Sequence, residues 1–473
     1  MLRMARVVLV LGAVVMLLAA AGVAWALQAA GRTPREWAPY LDRRAEKHRW
    51  SIVEGTALVT RWLIHADRLG PDGALVPPWR LGADIERSGT PPAGRIRIAS
   101  SIEALEAAIA TAQPGDVVQV APGTYRHAGR ALSIVRGGTD GAAITLRAAR
   151  LGDVVIETDA VALFRIQAPH WRFENLEVRG VCADHTWCEH AFHIVGDATN
   201  TVIRNNRLAD WNAHIKINGE GGRFPDGGLV QGNTLTNTQP RRTTNPVTPI
   251  DLVAANGWSI QENFIADFVR EGGGNPTYGA FVKGAGEHNV LTRNVVLCEW
   301  KLRGRQGQRV GLSIGGGGTG EIFRRDGGRS GFEHMNGLIR DNLIAFCSDV
   351  GVYVNRAPRS SVIHNTLLDT AGIDIRFPES SASVVANFVD GPIRSRDGGV
   401  LRIHANVTAP LLGLFVGYHA PRAYFVAPAS LDLTWNEPPE RTEEGDREMD
   451  LCGRMRPAKP FPGAFEDFSA CRR

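Results

Sequence analysis

Lys216, Asp251, Lys283 and Tyr353 stand in short segments where apolar and polar residues alternate: Ile215-Lys216-Ile217, Ile250-Asp251-Leu252, Val282-Lys283 and Val352-Tyr353-Val354. Brought together, they are the parts of a β-elimination on a uronic-acid polymer. That reaction removes a weakly acidic proton beside a carboxylate, neutralises the carboxylate and protonates a leaving oxygen. A lysine becomes a usable base when a nearby positive charge lowers its pKa. Lys283 and Lys216 are the candidates for the proton abstraction. Tyr353 or His214 supplies the proton for the leaving oxygen. Asp251, Asn218, His214, Arg309, Asn355 and Arg376 are the candidates for binding the polymer. The plainer account of Lys216, Asp251 and Lys283 is an ion-pair ladder across neighbouring strands.

Only a repeat brings residues so far apart in sequence together. Nine asparagines, Asn175, Asn206, Asn233, Asn263, Asn294, Asn342, Asn365, Asn387 and Asn406, recur at intervals of 19 to 48 residues with apolar residues on both sides. Strand-like repeats of this length make solenoids. One repeat cannot bury its own core, whereas stacked repeats can. Asparagine suits a tight corner because it tolerates left-handed backbone, and stacked asparagines bond one coil to the next. The variable interval fits a parallel β-helix with corner loops of different length.

Aligning the strand before each corner gives one outward column of Lys216, Asp251, Phe281, Ser313, Tyr353 and Asp374, and a second of Asn218, Val253, Lys283, Gly315, Asn355 and Arg376. Between them lie Ile217, Leu252, Val282, Ile314, Val354 and Ile375, all apolar. A slip of one residue would put Lys or Asp into the core. Strands of neighbouring coils stand about 4.8 Å apart, so Lys216, Asp251 and Lys283 fall on three adjacent rungs of one face. Upstream, Ser100 to Glu103 reads as a capping box. Ile102, Leu105, Ile109 and Ala112 follow as the apolar face of a short helix covering the first coil.

The stretch AAIATAQPGDVVQVAPGTY resembles the start of the right-handed parallel β-helix proteins of the pectate-lyase-like class, including chondroitinase-B and alginate-lyase types. GLIRDNLIAF and VIHNTLLDT resemble their coil repeats, and PGAFE at 462–466 resembles a closing motif. The resemblance covers roughly residues 96 to 466. It implies an all-β solenoid and, by the place of Lys283 before a coil asparagine, the lysine base of chondroitinase-B-type lyases. The sequence also departs from that pattern. Where those lyases carry an arginine on the next coil, this chain has Ser313, with Arg309 nearest. Where they carry acidic calcium ligands, it has Pro276 to Tyr278. No metal or other cofactor is therefore expected. The paired aspartates of a polygalacturonase-type hydrolase are missing, and Asp251 and Asp374 lie four rungs apart, about 19 Å by strand spacing.

The 473 residues carry a net charge of +4, too slight to argue for a nucleic-acid partner. Arg3 and Arg6 precede an uncharged run from Val7 to Leu27, long enough to cross a bilayer. Ala24-Trp25-Ala26 also offers a cleavage site. Either way the rest is exported, to the periplasm or cell envelope. The expected organisation is a signal or anchor at 1–28, a helical stretch and linker at 29–95, the β-helix at 96–430, and a tail at 431–473 packed on it. Six cysteines suit an oxidising compartment. Cys182 and Cys188, Cys298 and Cys347, and Cys452 and Cys471 are consistent with three disulfides. A zinc site at Cys182, Cys188, Glu189, His190 and His193 matches no strong pattern. The 301–333 stretch reads as a loop beside the groove, whose Arg305, Arg309, Arg324 and Arg325 are available to an acidic chain. The partners expected are an acidic polysaccharide and, through the N-terminus, a membrane. Besides a lyase, the sequence allows a β-helix that binds glycan without cleaving it, or a purely structural envelope protein.

Overall fold

The computed structural model describes residues 2–70, 80–89, 93–316, 318–443 and 447–472. Parts of the expected linker (71–79 and 90–92), of the glycine run (317) and of the acidic loop before the tail (444–446) lie outside these residues. Three long parallel sheets of 12, 10 and 11 strands form the body. Successive strands of the chain pass from sheet to sheet, so each sheet is paired from one coil to the next. Side chains from all three sheets meet in one core that runs the length of the stack, with Phe164, Phe173, Ile217, Leu252, Val282 and Ile314 fully buried.

The corner asparagines work differently from expectation. In each coil from Asn206 to Asn406 the residue before the asparagine, from Asn205 to Ala405, takes the left-handed backbone, with φ between 51° and 63°. That residue bends the chain, and the asparagine turns inward. Asn233 donates to Asn263 Oδ1 from its backbone N and its Nδ2 at 2.9 and 3.0 Å. The same pair of bonds repeats from Asn206 to Asn406. A buried amide in such a ladder has its polar groups satisfied by its neighbours. Asn175 is not a rung of it. It holds the left-handed position itself, with φ 63°, and Leu176 N donates to Asn206 Oδ1. The sequence carries the offset: Phe173 precedes Asn175 by two places, whereas Ile203 precedes Asn206 by three. Asn263→Ala removes the acceptor of two donors on Asn233 and a donor to Val230 O and to Asn294 Oδ1. The expected loss is roughly 3 kcal/mol, read from denaturant unfolding.

Among the described residues five α-helices flank the coils: α1 (Leu2–Ala30), α2 (Pro34–Ala45), α3 (Trp50–Asp67), α4 (Ile102–Thr111) and the single turn α5 (Leu411–Leu414). Helix α4 closes the first coil with Leu105, Ala108 and Ile109. Its cap is Ser101, one residue later than expected, and the Ser101 side chain accepts from Ala104 N. Glu103 is then one place too early to complete a capping box. Helix α2 starts at a Thr33–Glu36 box, in which Glu36 accepts from Thr33 N and Oγ1, with Pro34 in the first turn. The tail packs on the eleven-stranded sheet through Phe425, Leu433, Phe465 and Phe468. The three disulfides pair as the spacing indicated. Cys182 and Cys188 are thereby removed as metal ligands.

Candidate functional site

The outward column is continuous. Lys216 pairs with Asp251, Asp251 with Phe281, Phe281 with Ser313, Ser313 with Tyr353, and Tyr353 with Asp374. Asn218 with Val253, Val253 with Lys283, and Asn355 with Arg376 form the second. Over these columns lies a cleft of about 870 Å³. Lys216, Asp251, Lys283, Tyr353, Asn355 and Arg376 all line it.

Within the cleft the two lysines differ. Lys216 Nζ is 2.8 Å from Asp251 Oδ1, and the aspartate is 6% exposed. Lys283 has no hydrogen-bond or ion-pair partner among the described residues. Its ammonium lies 4.4 Å from the centre of the Phe281 ring. Burial lowers its pKa from the ordinary lysine value, nearby Asp251 opposes this, and Lys216 adds to it. Burial also raises the Tyr353 phenol, so that it keeps its proton at neutral pH. Arg376 Nη1 lies 3.4 Å from the Tyr353 hydroxyl. Asn355 is 4% exposed, and its Oδ1 has no partner among the described residues. An orphaned acceptor in a cleft wall is a place for a ligand's donor.

Other candidates lie elsewhere. His214 is fully buried, and its Nε2 bonds Thr236 O at 3.0 Å. It precedes the strand at a corner and turns inward, so it can neither reach a substrate nor donate to one. Arg309 is 2% exposed. Its Nε bonds Glu299 Oε1 at 2.8 Å, and its other nitrogens hold Gln306 O and Arg305 O. It therefore braces its loop. Arg324 is likewise paired with Glu333, and Arg325 with Asp226. Asn218 points to His193, whose Nε2 it meets at 2.9 Å, and lies beyond the cleft lining. Pro276, Thr277 and Tyr278 supply no carboxylate where calcium ligands would stand, and no group of three His, Cys, Asp or Glu side chains among the described residues could hold a metal.

The structure adds residues that the alignment left out. Tyr278, Val310 and Val350 line the cleft, although strict alternation points Tyr278 and Val310 inward. The alternation breaks at glycines. A Cβ on Gly279 would lie 2.8 Å from Gly311 O, and one on Gly311 would lie 2.4 Å from Gly351 O. Only glycine lets the backbones stack this closely, and the bend turns the preceding residue outward. Asp349, also in the wall, is pushed up to about 6 by burial and by Glu36. Helix α2 closes one end with Glu36, Pro39 and Arg43, joined by Arg32 just before it. There Arg394 bonds Glu36 at 2.8 Å and also Asp374, while Arg396 reaches Asp374 at 3.0 Å. These pairs occupy the Asp374 end.

No protein-family model matches this chain, and no curated protein matches it by sequence. Among solved structures it is similar to pectate lyase Pel9A, at 16% identity and TM-score 0.47 over 80% of this chain and 98% of that one. It is similar to a rhamnogalacturonan lyase, at 12% and 0.43 over 67% and 87% of the two chains. An alginate lyase from Paenibacillus sp. str. FPU-7 overlaps at 12% and 0.34 over 67% and 96%. The strand register decides the fold. The chain is a parallel β-helix. Its chemistry has to be argued from the cleft, because many reactions share such scaffolds.

Replacing Lys216 with Gln tests the coupling inside the cleft. It removes a positive charge that lowers the Lys283 pKa and leaves the Asp251 charge uncompensated. Both changes raise the Lys283 pKa. The Lys283 pKa is expected to rise, as read from the pH dependence of its reaction with an amine-selective reagent.

Proposed function

We propose that the cleft binds an acidic polysaccharide and cleaves it by β-elimination. Lys283 carries the reading. A largely buried lysine without a partner, with a lowered pKa and a second lysine nearby, is costly to keep as structure and suited to act as a base. In the proposed step the neutral Lys283 amine takes the proton beside the uronate carboxylate. The electron pair forms a carbon–carbon double bond as the neighbouring carbon–oxygen bond breaks. The leaving oxygen takes the Tyr353 proton. Lys216 and Arg356, both in the lining, face the charge that grows on the carboxylate, and the orphaned Asn355 Oδ1 accepts a sugar hydroxyl.

The test is incubation of the protein with a panel of uronic-acid polymers while following ultraviolet absorbance. New absorbance from unsaturated ends supports elimination; its absence across the panel, with polymer bound, removes it. One observation favours a second reading, binding without cleavage: Lys216 is already neutralised by Asp251, as in a structural ladder. That reading predicts retention of polymer with no unsaturated product. The chain's disulfides and its apolar N-terminal helix support placement outside the cytoplasm.

A further inference from the structure

Helix α1 is apolar over Leu11–Ala30, with a mean hydropathy of 2.0 and none of these residues fully buried by the rest of the chain. Its last turn meets the body at a small cluster that includes Leu27, Leu63, Leu411 and Phe415. Two further apolar surfaces spread from this junction. On α3, Ile52, Val59 and Trp62 recur at spacings of seven and three, so they form one strip. Leu58 and His65 flank the strip on one side, with Glu54 and Arg61 further round the helix. Leu58 is 62% exposed and Trp62 52%. Beyond α5, Val416 and Tyr418 are also uncovered, at 77% and 59%. Arg43, Arg44, Lys47 and Arg49 follow one another at the end of α2 and in the turn into α3, and Arg61 lies on α3 itself.

We propose that this collar rests in the interface of an anionic bilayer that α1 crosses, with α3 lying at headgroup depth. Continuity selects the occupant. The uncovered strip starts where a helix long enough to span the hydrocarbon leaves the protein. Tryptophan and tyrosine in apolar surfaces are residues an interface favours, and the basic run from Arg43 to Arg49 is attracted to anionic lipid. The arrangement also places the cleft. Arg32, two residues past the end of α1, lines it, as do Glu36 and Arg43. The α2 end of the cleft therefore opens beside the membrane surface. On the reading that the cleft holds a glycan, the substrate is one presented at that surface.

The test uses the full chain in vesicles of phosphatidylcholine and phosphatidylglycerol, and it does not depend on turnover. Trp62→Phe is a conservative change that defines the Trp62 emission by difference from the parent. With lipids brominated near the headgroup, that difference signal is expected to fall by at least half. A difference signal that the lipid does not quench overturns the proposal. So does shielding of Trp62 from aqueous iodide that persists in a detergent-purified dimer, a result that would assign the strip to a second copy.

Discussion

Lys283→Met is expected to lower turnover on a uronic-acid polymer by about 10²–10⁴-fold, the contribution of a positioned general base, while the protein becomes no less stable. The second half of the result is the discriminating one. Burial holds the folded-state pKa of Lys283 below its ordinary value. The unfolded chain therefore binds more protons than the folded chain at pH values between the two. By linkage, stability rises with pH across that window. Below the folded-state pKa the cost of burying the ammonium is fully present, and it is relieved as pH climbs towards about 10.4, where an unperturbed lysine titrates. Met keeps most of the length of the side chain and carries no charge to desolvate, although it gives up the ammonium's contact with the Phe281 ring. The melting temperature of Lys283→Met is thus expected to match or exceed that of the parent near neutral pH, with the difference shrinking as pH rises. An ion-pair ladder predicts the reverse, since removing a member of a ladder lowers stability. A variant that loses both turnover and stability would return Lys283 to a structural role.

How much of this was legible in the sequence depended on whether a residue obeyed a local rule. The columns from Lys216 to Asp374 and from Asn218 to Arg376 followed from strand alternation, because a core of Ile217, Leu252 and Val282 tolerates only one register. Tyr278 and Val310 broke that rule at Gly279 and Gly311, where close stacking of backbones bends the strands; the glycines were visible, their meaning only in three dimensions. His214 and Arg309 had the right chemistry in the wrong direction. A sequence displays an imidazole or a guanidinium but not that Thr236 O or Glu299 already holds it. The left-handed corner lay one residue before the asparagine, since the sequence marks the buried ladder residue more strongly than the residue that bends. The closure of the cleft by α2 left no local signal, because it depends on partners on distant coils.

Those partners make Arg35→Ala the change expected to cost most. Arg35 lies on α2 and is 2% exposed. It donates to Asp67 Oδ2 and Oδ1 at 2.9 and 2.7 Å and to Cys347 O at 2.9 Å, and it lies 2.9 Å from Asp369 Oδ1. One guanidinium thus joins α2, the end of α3 and two coils. Removing it leaves the Asp67 carboxylate buried without its cation and Asp369 with Arg68 alone, at a cost of about 3–5 kcal/mol. Lysine is not expected to restore the loss, because a single ammonium cannot reproduce the fork that meets Asp67 and the Cys347 carbonyl together. The coils have their own core, so the loss should show first as undocking of α2 and only later as global unfolding. Limited proteolysis in the short connection between α2 and α3 should therefore accelerate before the main thermal transition moves. Arg32, Glu36 and Arg43 leave the cleft with the helix, so KM for polymer is expected to rise more than kcat falls. Proteolysis and KM both unchanged in Arg35→Ala would mean that α2 is held by its apolar contacts with Leu63 and Phe415, and that this end of the cleft does not depend on the buried charge.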